Sequence, residues 1–320
     1  RNEARPKIRV GRPTNQGVQL KVVLAENFRA VFYAPFYACL ELGFFRQAGL
    51  AVELVASPSP GAGIAEMLAG RTHLVWGGPL RVLKDRDGVS PGPQSLVAFG
   101  EVAARDPFFL MGRPTEAAFD FGRLPSLRLS TVSEVPTPWL CLQQDLRDAG
   151  IDPRTLVRSS DASMPEQLKA LAEGRVDVIQ VFEPFVAQAE AASLGQVLYA
   201  AHQRGETAYT SFISTEEHLL RYGEVFQAMA QAITAFPDWL QSEGGAGLAR
   251  LVSPYYPHLP VEQLGRALNR YQAARLWSCR PEISRVGFDR LALSMLSGGF
   301  IRQVTPYETC VAPWAQQHRV

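Results

Sequence analysis

The fold is decided by residues 20–79, which read LKVVLAENFRAVFYAPFYACLELGFFRQAGLAVELVASPSPGAGIAEMLAGRTHLVWGGP. The apolar run at 20–25 predicts a strand. A helix is predicted over 35–49, since proline favours the first helical position and glycine often follows the last one. Two further strands are expected, at 51–56 and 74–76, with a glycine-rich turn and a short helix between them. This β-α-β-α-β order predicts a mostly parallel sheet with right-handed crossovers.

A similar order of elements returns in the second part of the chain. A strand is predicted at 127–132, a helix at 139–149 and a short strand at 156–158. The run Ser-Met-Pro-Glu at 163–166 has the spacing of a capping box with proline at an early helical position. A helix should therefore begin there, as part of a second α/β unit.

The two units contain one segment that can be compared directly. Residues 68–79 read LAGRTHLVWGGP, and residues 171–184 read LAEGRVDVIQVFEP. Each has a helix end, a Gly-Arg turn, an apolar strand and a proline at the exit, and Gly70 and Gly174 take the same place in the two segments. The chain is expected to hold two similar lobes.

The length of 320 residues also favours about two domains. Residues 207–215 are strand-like and the chain after them is helical, so the chain is expected to return to its first sheet, crossing near 104–108 and near 209–214. The predicted fold class is α/β, with two similar three-layer lobes joined by a two-crossing hinge. The predicted domains are an outer lobe of residues 18–105 plus 213–320, an inserted lobe of residues 106–212 and an N-terminal extension of residues 1–17.

Composition excludes several classes of function. Hydrophobic residues make up 47% and charged residues 20%, and 32 basic against 31 acidic residues leave a formal charge of +1. These values are typical of a folded globular chain and lack the basic excess expected of a partner for nucleic acid or an anionic membrane. No apolar run reaches the roughly 18 residues of a membrane span. Because the chain begins with Arg1, any signal peptide or lipid-anchored cysteine is expected to precede it.

Several short runs resemble a known family. The segments APFYA at 34–38, ELGFF at 41–45 and GLAVEL at 49–54 are similar to the opening of the type II substrate-binding proteins of ABC importers. The likeness is to the group shared by binders of thiamine-pyrimidine precursors, alkanesulfonates and nitrate and by the fungal thiamine-pyrimidine synthase. The step at 69–74 matches as well, with His73 in place of the family's usual acid.

The resemblance implies two lobes that close on a solute in the cleft between them. In open α/β sheets, ligands bind beyond the carboxyl ends of the strands, and paired lobes place two such ends face to face. The ligand-binding residues expected from this geometry are Asn27, Phe28, Arg29, Phe32, Tyr33, Ser59, Gly61, Gly78, Pro79, Ser133, Glu134, Thr137, Phe182 and Glu183.

Two charged residues leave the class of ligand open. Glu183, at a strand end, could accept hydrogen bonds from an amino group of the solute, and the family's pyrimidine binders carry an acid in a similar "VFE" context. It could instead cap the helix that follows. Arg29 could grip a sulfonate or carboxylate, or it could be a solvated loop residue. Phe28, Phe32 and Tyr33 could stack on an aromatic solute, although the pyrimidine-binding pattern has a histidine about where Tyr33 stands.

Two motif-like patterns fail on a physical requirement, and the histidines form no ligand pattern. Gly61 and Gly63 suggest a dinucleotide fingerprint, but Glu66 stands where the third glycine is needed. The run at 88–92 fits G-x-S-x-G, yet Pro91 has no N–H for an oxyanion hole. The five histidines lack metal-ligand spacing, so neither a cofactor nor a metal is expected.

The four cysteines are too sparse for a disulfide framework or a thiolate metal site. If any disulfide forms, Cys279–Cys310 is the expected pair, because Cys39 lies in the first helix and Cys141 in the other lobe.

The leading hypothesis is a non-catalytic solute receptor of an ABC importer, periplasmic or extracytoplasmic, monomeric, not itself spanning the membrane and partnered by permease subunits. Its expected solute is a small polar molecule, a nitrogen-containing aromatic such as a thiamine-pyrimidine precursor. The alternatives are a binder of a small organic anion and an enzyme of the thiamine-pyrimidine-synthase type. The enzyme would need a histidine in the cleft and a cysteine-rich loop.

Overall fold

The computed structural model describes residues 20–115 and 117–317, so the predicted extension of residues 1–17 falls outside the described part of the chain. The strands are β1 (Leu20–Ala25), β2 (Leu50–Val55), β3 (Leu74–Gly77), β4 (Leu96–Ala103), β5 (Phe109–Gly112), β6 (Arg128–Ser130), β7 (Val157–Ser159), β8 (Val178–Val181), β9 (Gln196–Ala200), β10 (Thr210–Thr215) and β11 (Trp277–Arg280). The helices are α1 (Ala34–Glu41), α2 (Phe44–Gln47), α3 (Ala62–Leu68), α4 (Leu80–Asp85), α5 (Thr137–Asp148), α6 (Met164–Ala172), α7 (Phe185–Ala191), α8 (Glu216–Ala232), α9 (Phe236–Val252), α10 (Val261–Ala273), α11 (Arg285–Ser297) and α12 (Tyr307–Cys310).

These strands form two mixed sheets. The six-stranded sheet has the order β11-β4-β10-β3-β1-β2, and the five-stranded sheet has the order β7-β6-β8-β5-β9. In the first, β1 pairs in parallel with β2 and β3, while β10 runs antiparallel between β3 and β4. In the second, β6 pairs in parallel with β7 and β8, while β5 is antiparallel to β8 and β9. The predicted class of two α/β lobes is confirmed.

We call the elements around the six-stranded sheet the outer lobe and those around the five-stranded sheet the inserted lobe. The chain leaves the outer lobe after β4 and returns to it at β10. The second crossing ends at about Tyr209, at the start of the predicted range, because Thr210–Thr215 is already paired in the six-stranded sheet. The exact domain boundaries stay a prediction.

The two crossings lie side by side. The N–H of Ala201 donates to the carbonyl of Phe108 at 3.0 Å, and the N–H of Thr207 donates to that of Ala104 at 2.7 Å. Buried Arg204 on the returning crossing pairs with Asp106 on the outgoing one at 2.8 Å. Paired charges can stay buried because each partner replaces part of the lost hydration.

The order of strands and helices predicted for residues 20–79 is confirmed, with one difference. The expected helix over 35–49 is divided into α1 and α2, because Gly43 between them adopts a left-handed φ of +71°. A left-handed residue ends an α-helix, and glycine does so without steric cost. The capping box is present: Ser163 donates from both its N–H and its hydroxyl to Glu166 at the start of α6.

The outer lobe has an aromatic centre. Trp76 is fully buried in β3 and stacks on Phe36 of α1, with ring centroids 4.4 Å apart. Phe212 and Phe99 continue the cluster across the sheet. Trp76 is thus a packing residue rather than part of the cleft surface.

All four cysteines are buried free thiols, so the disulfide expected between Cys279 and Cys310 is not formed. Burial raises the pKa of the thiols of Cys141 and Cys310 to about 12. Within the described residues, no helix has the length and apolar character needed to cross a bilayer.

Candidate functional site

A cavity of about 340 Å³, here called the inner chamber, lies between the lobes. The outer lobe contributes residues that follow β1 and β3, and the inserted lobe contributes residues at the start of α5. Its polar lining residues include Asn27, Tyr33, Gly61, Arg81, Thr137 and Tyr209, and its apolar ones include Phe28, Phe32, Ile64, Leu80, Phe108, Val135 and Phe300. The position beyond the carboxyl ends of parallel strands agrees with the geometry expected of open α/β sheets.

The polar end of the inner chamber is organised by buried Asn27. Its side-chain oxygen accepts hydrogen bonds from the N–H of Gly61 at 3.0 Å and from Nη2 of Arg81 at 3.2 Å. Its Nδ2 donates to the hydroxyl of Tyr33 at 3.2 Å. These bonds fix the amide and hold Arg81 in place at the chamber wall.

Arg81 is a partly buried cation at the wall of the inner chamber. Among the described residues no carboxylate forms an ion pair with it, and its buried Nε has no hydrogen-bond partner. Burial lowers the pKa of its guanidinium, because a charge removed from water is less stable. A partly buried arginine of this kind is best stabilised by an anion that enters the chamber.

Two tyrosines add donors to the same chamber. Tyr209 is buried, and its hydroxyl has no partner among the described residues. The hydroxyl of Tyr33 accepts from Asn27, so its own hydrogen is still available for donation. Burial raises the pKa of both phenols, which therefore stay neutral donors at physiological pH.

Two further charged residues line the inner chamber, and both already have partners. The ammonium of Lys84 donates to the carbonyl of Phe300 at 2.8 Å and lies over its ring. The carboxylate of Asp85 accepts from the N–H of Leu96 at 2.8 Å. Arg81 differs from both in having a buried nitrogen, Nε, without a hydrogen-bond partner among the described residues.

A second cavity of about 760 Å³, here called the outer chamber, adjoins the first. Both cavities are lined by Phe28 and Val135, which form a common wall. The remaining lining residues include Arg29, Glu134, Met164, Phe182, Phe185, Gln188, Tyr255, Tyr256, His258 and Leu259. Both lobes contribute to this surface.

The structure distributes the residues expected at the site over three environments. Asn27, Phe28, Phe32, Tyr33, Gly61, Gly78 and Thr137 line the inner chamber. Phe28 also lines the outer chamber, together with Arg29, Glu134 and Phe182. Ser59, Pro79, Ser133 and Glu183 line neither cavity. The assignment of these residues to ligand binding remains a prediction.

Glu183 lies outside both chambers, although it was expected to contact the ligand. Its carboxylate is fully buried, pairs with Arg270 of α10 at 2.7 Å and accepts from the N–H of Ala187 at 3.0 Å. Burial raises its pKa, and the bond from Ala187 and the charge of Arg270 oppose that shift. The helix-capping interpretation, held open from the sequence, agrees with these contacts.

Arg29 is also engaged within the protein. It pairs with the buried carboxylate of Glu26 at 2.9 Å, and its Nη1 donates to the carbonyl of Tyr255 at 3.3 Å. Its guanidinium lies 5.7 Å from the ring centroids of Tyr37 and Tyr255. It is therefore neither a freely solvated loop residue nor part of the inner chamber.

The sequence analysis missed Arg81 and Tyr209. Arg81 lies two residues after Pro79, just beyond the carboxyl end of β3. The expectation that ligands bind beyond strand ends placed residues 77–79 at the cleft, and it would have included Arg81 if it had extended two residues further. Tyr209 immediately precedes β10, where the returning chain passes the hinge. Its role at the cavity depends on tertiary packing and carries no local signal.

Residues 113–251 match the NMT1-like family. The chain is 21% identical to YtlA, a binding protein of Bacillus subtilis (strain 168), over 296 residues that cover 91% of this chain and 87% of YtlA. It superposes on the periplasmic aliphatic sulphonate binding protein SsuA of Escherichia coli with a TM-score of 0.72 at 12% identity, covering 91% of this chain and 96% of SsuA. The chain has the type II periplasmic-binding-protein fold. The resemblance inferred from the sequence is confirmed.

The same fold also occurs in an enzyme. The desulfurization enzyme DszB superposes with a TM-score of 0.63 at 12% identity, covering 92% of this chain and 96% of DszB. Most of the similar structures are transport binding proteins. The fold alone therefore does not distinguish a receptor from a catalyst, and the chemistry of the chambers must do so.

Proposed function

We propose that this chain is the solute-binding component of an ABC importer and that it captures a small organic anion, a sulfonate or carboxylate, in the inner chamber. The observation that carries the proposal is Arg81, a partly buried cation with no acidic partner among the described residues. An anionic head group would supply the missing charge.

The other polar groups of the chamber suit the same head group. The hydroxyls of Tyr33 and Tyr209 have hydrogens to donate, and a sulfonate or carboxylate has only acceptors at its charged end. Arginine binds such groups through two parallel N–H donors, which gives orientation as well as affinity. The aromatic and aliphatic walls formed by Phe28, Phe32 and Phe108 suit an apolar body attached to that head.

A thiamine-pyrimidine precursor is less well supported as the solute. The acid expected to bind its amino group, Glu183, is occupied by Arg270 and Ala187 outside the chambers. Asp85 does line the inner chamber, but it already accepts from Leu96, and a neutral heterocycle would leave Arg81 unpaired. A partly buried cation without a counter-charge is unfavourable, so the anion is favoured.

We propose further that the protein acts without turnover, by closure of the lobes around the solute. The four thiols are buried, and burial raises the pKa of each, which suppresses the nucleophilic thiolate form. As a receptor it would work outside the cytoplasm as a monomer and deliver its solute to permease subunits. In solution, mass analysis of the protein and solute after long incubation would reveal any conversion.

The proposal is tested by calorimetric titration of ethanesulfonate and acetate into the wild-type protein and into Arg81→Met. Loss of one partner from a buried charge pair costs about 2–5 kcal/mol, so the variant should bind at least roughly thirtyfold more weakly. Arg154→Met is the matched control, because Arg154 is an arginine with a 90% exposed side chain that lines neither chamber. Equal affinity of wild type and Arg81→Met would overturn the proposal, as would binding of an aminopyrimidine but of neither anion.

A further inference from the structure

A third cavity, here called the side cavity, lies in the inserted lobe, bounded by the ends of β6 and β7 and by helix α6. Its volume is about 340 Å³, at the small end of the roughly 300–1,000 Å³ typical of ligand pockets. The residues that line it are distinct from those that line the two chambers. It is therefore separate from the cleft in which the solute is proposed to bind.

Two hydroxyl groups belong to the strand side of the side cavity. Ser130 and Ser159 are the last paired residues of β6 and β7, and as register partners in parallel strands they face the same side of the sheet. In the outer lobe the last paired residues of β1 and β2 are the apolar Ala25 and Val55. The fold therefore does not require polar side chains at this position.

The helix side of the side cavity also differs from its counterpart in the outer lobe. When the two Gly-Arg turns are aligned, Glu66 and Arg71 of the outer lobe correspond to Ala170 and Arg175 of the inserted lobe. Glu66 binds Arg71 through both of its carboxylate oxygens, whereas Arg175 pairs with Glu173 at 2.6 Å. Ala170 lines the side cavity and leaves open the space that a longer side chain would fill.

The hydroxyl of Ser130 is buried at this cavity without a hydrogen-bond partner. The residue is only 1% exposed, and its Oγ has no partner in the part of the chain that the structure describes. A polar group removed from water without a hydrogen bond is unfavourable, and a serine hydroxyl can either donate or accept one. A molecule that enters the side cavity and bonds to Ser130 would remove this cost.

Exposed charged residues of both signs surround the side cavity. Glu166 is engaged by the capping box of α6, and Arg175 is engaged by Glu173. The carboxylate of Asp161 has no hydrogen bond or ion pair with any other described residue, and Lys169 makes only a 3.9 Å contact with Glu173. The two least engaged groups are thus one carboxylate and one ammonium. A simple anion or cation would meet a like charge as well as an opposite one, whereas a zwitterion can match both.

We propose that the side cavity is a second binding site, for a small zwitterion of the amino-acid class. The ammonium of the ligand pairs with Asp161, its carboxylate pairs with Lys169, and one of its polar groups hydrogen-bonds to the buried hydroxyl of Ser130. The site goes beyond the proposed function, because it lies outside the cleft and does not involve Arg81.

The test is calorimetric titration of glycine, β-alanine and γ-aminobutyrate, whose two charges lie at increasing separation, into the wild-type protein and into Arg81→Met. At least one of the three should bind, with equal affinity for the two proteins. Asp161→Asn, Lys169→Met and Ser130→Ala should each weaken that binding by about fivefold. Lys21→Met is the matched control, because Lys21 is 69% exposed in the outer lobe and Lys169 is 72% exposed, and it should leave the affinity unchanged.

Three outcomes would refute the second site. Zwitterion binding that is lost in Arg81→Met would place the ligand in the cleft. Acetate or methylammonium that binds Arg81→Met as tightly as the zwitterion does would exclude recognition of both charges. Absence of binding by all three amino acids would leave the side cavity without its ligand. None of these results depends on sulfonate binding, so the proposed function is tested separately.

The stability of Ser130→Ala gives a readout that needs no ligand. The variant loses a buried hydroxyl that has no partner among the described residues, so it should unfold at the same urea concentration as the wild type or at a higher one. Its binding of ethanesulfonate should equal that of the wild type. A lower unfolding midpoint would show that Ser130 is already hydrogen-bonded within the protein and would overturn the proposal.

Discussion

His73 in the outer lobe and Asp177 in the inserted lobe accept equivalent backbone hydrogen bonds. The N–H of Val23 donates to Nδ1 of His73 at 2.8 Å, and the N–H of Arg128 donates to Oδ2 of Asp177 at 2.8 Å. Each acceptor residue also donates its own N–H back to the carbonyl of its partner, at 2.9 Å in both cases. The histidine that replaces the expected acid in the first lobe therefore preserves the contact between neighbouring parallel strands.

Having His73 in place of an acid makes the outer lobe sensitive to low pH. Nδ1 of His73 can accept only when it is unprotonated, and the ring is buried against Tyr222 and near His218. Burial, with His218 as a smaller cause, lowers the pKa of His73 to about 4. Asp177 shows the opposite requirement, since hydrogen bonds from Arg128 lower its pKa and favour the charged form.

We expect the folding stability contributed by His73 to fall as the pH drops below its unfolded pKa of about 6.5. Between about 6.5 and 4 the unfolded state binds more protons than the folded state, so the free energy of unfolding declines by up to roughly 3 kcal/mol and then levels off. The check is urea unfolding of wild type and His73→Asn from about pH 7.5 to about pH 4. The wild-type advantage should shrink across this range, whereas His258→Asn, at an exposed site, should follow the wild type throughout.

The sequence allowed the strands to be predicted well because their signals are local. The apolar runs of β1 and β3 and the capping box of α6 depend on neighbouring residues alone, and each lies where the pattern placed it. Strands β4, β5, β9 and β11 were missed. β5 and β11 have only four residues each, β9 shows no clear alternation of burial, and β4 is buried on both faces, so it has no polar face to give a period of two.

The candidate site could be predicted only in part. The loop after β1 was expected at the cleft and lines it, since the carboxyl ends of parallel strands share one edge. The roles of Arg29 and Glu183 depend on partners that periodicity does not reveal: Glu26 is buried beside the first, and Arg270 arrives from α10 of the other lobe. The pair of Glu183 and Arg270 joins residues 87 positions apart and is a property of the tertiary fold, whereas Glu26 and Arg29 are three positions apart and pair only because of the conformation of the loop after β1.

The pair formed by Glu183 and Arg270 should stabilise the protein by joining the two lobes. Glu183→Gln keeps an acceptor for the N–H of Ala187 but removes the buried charge that faces Arg270. Breaking a buried pair costs about 3–5 kcal/mol, and because Arg270 is 30% exposed and can recover solvent, we expect about 2–3 kcal/mol here.

The matched control is Glu190→Gln, because Glu190 contacts the same arginine from a side chain that is 39% exposed. Exposed ion pairs contribute about 0–1 kcal/mol, so this variant should unfold close to the wild type. Thermal and urea unfolding provide the measurement. Equal stability loss in the two variants would show that burial of Glu183 does not set the strength of its pair.

The last prediction concerns Gly63, which holds α3 close to the sheet beneath the inner chamber. A Cβ atom at Gly63 would lie 2.8 Å from a methyl group of Val75 and 2.9 Å from the carbonyl oxygen of Glu26. Both neighbours belong to the tightly packed end of the sheet, so Gly63→Ala must displace α3. Overpacking of this kind costs about 1–3 kcal/mol, more than the roughly 1 kcal/mol that alanine gains over glycine within a helix.

The displacement should reach the ligand as well. The N–H of Gly61, two residues earlier, donates to Asn27, which in turn holds Arg81. Gly63→Ala should therefore weaken ethanesulfonate binding in addition to lowering the melting temperature. Gly223→Ala in α8 is the control, because nothing lies within 4 Å of its added Cβ, and it should leave affinity unchanged and stability equal or slightly higher. A Gly63→Ala protein with wild-type stability and affinity would show that α3 can shift without disturbing the chamber.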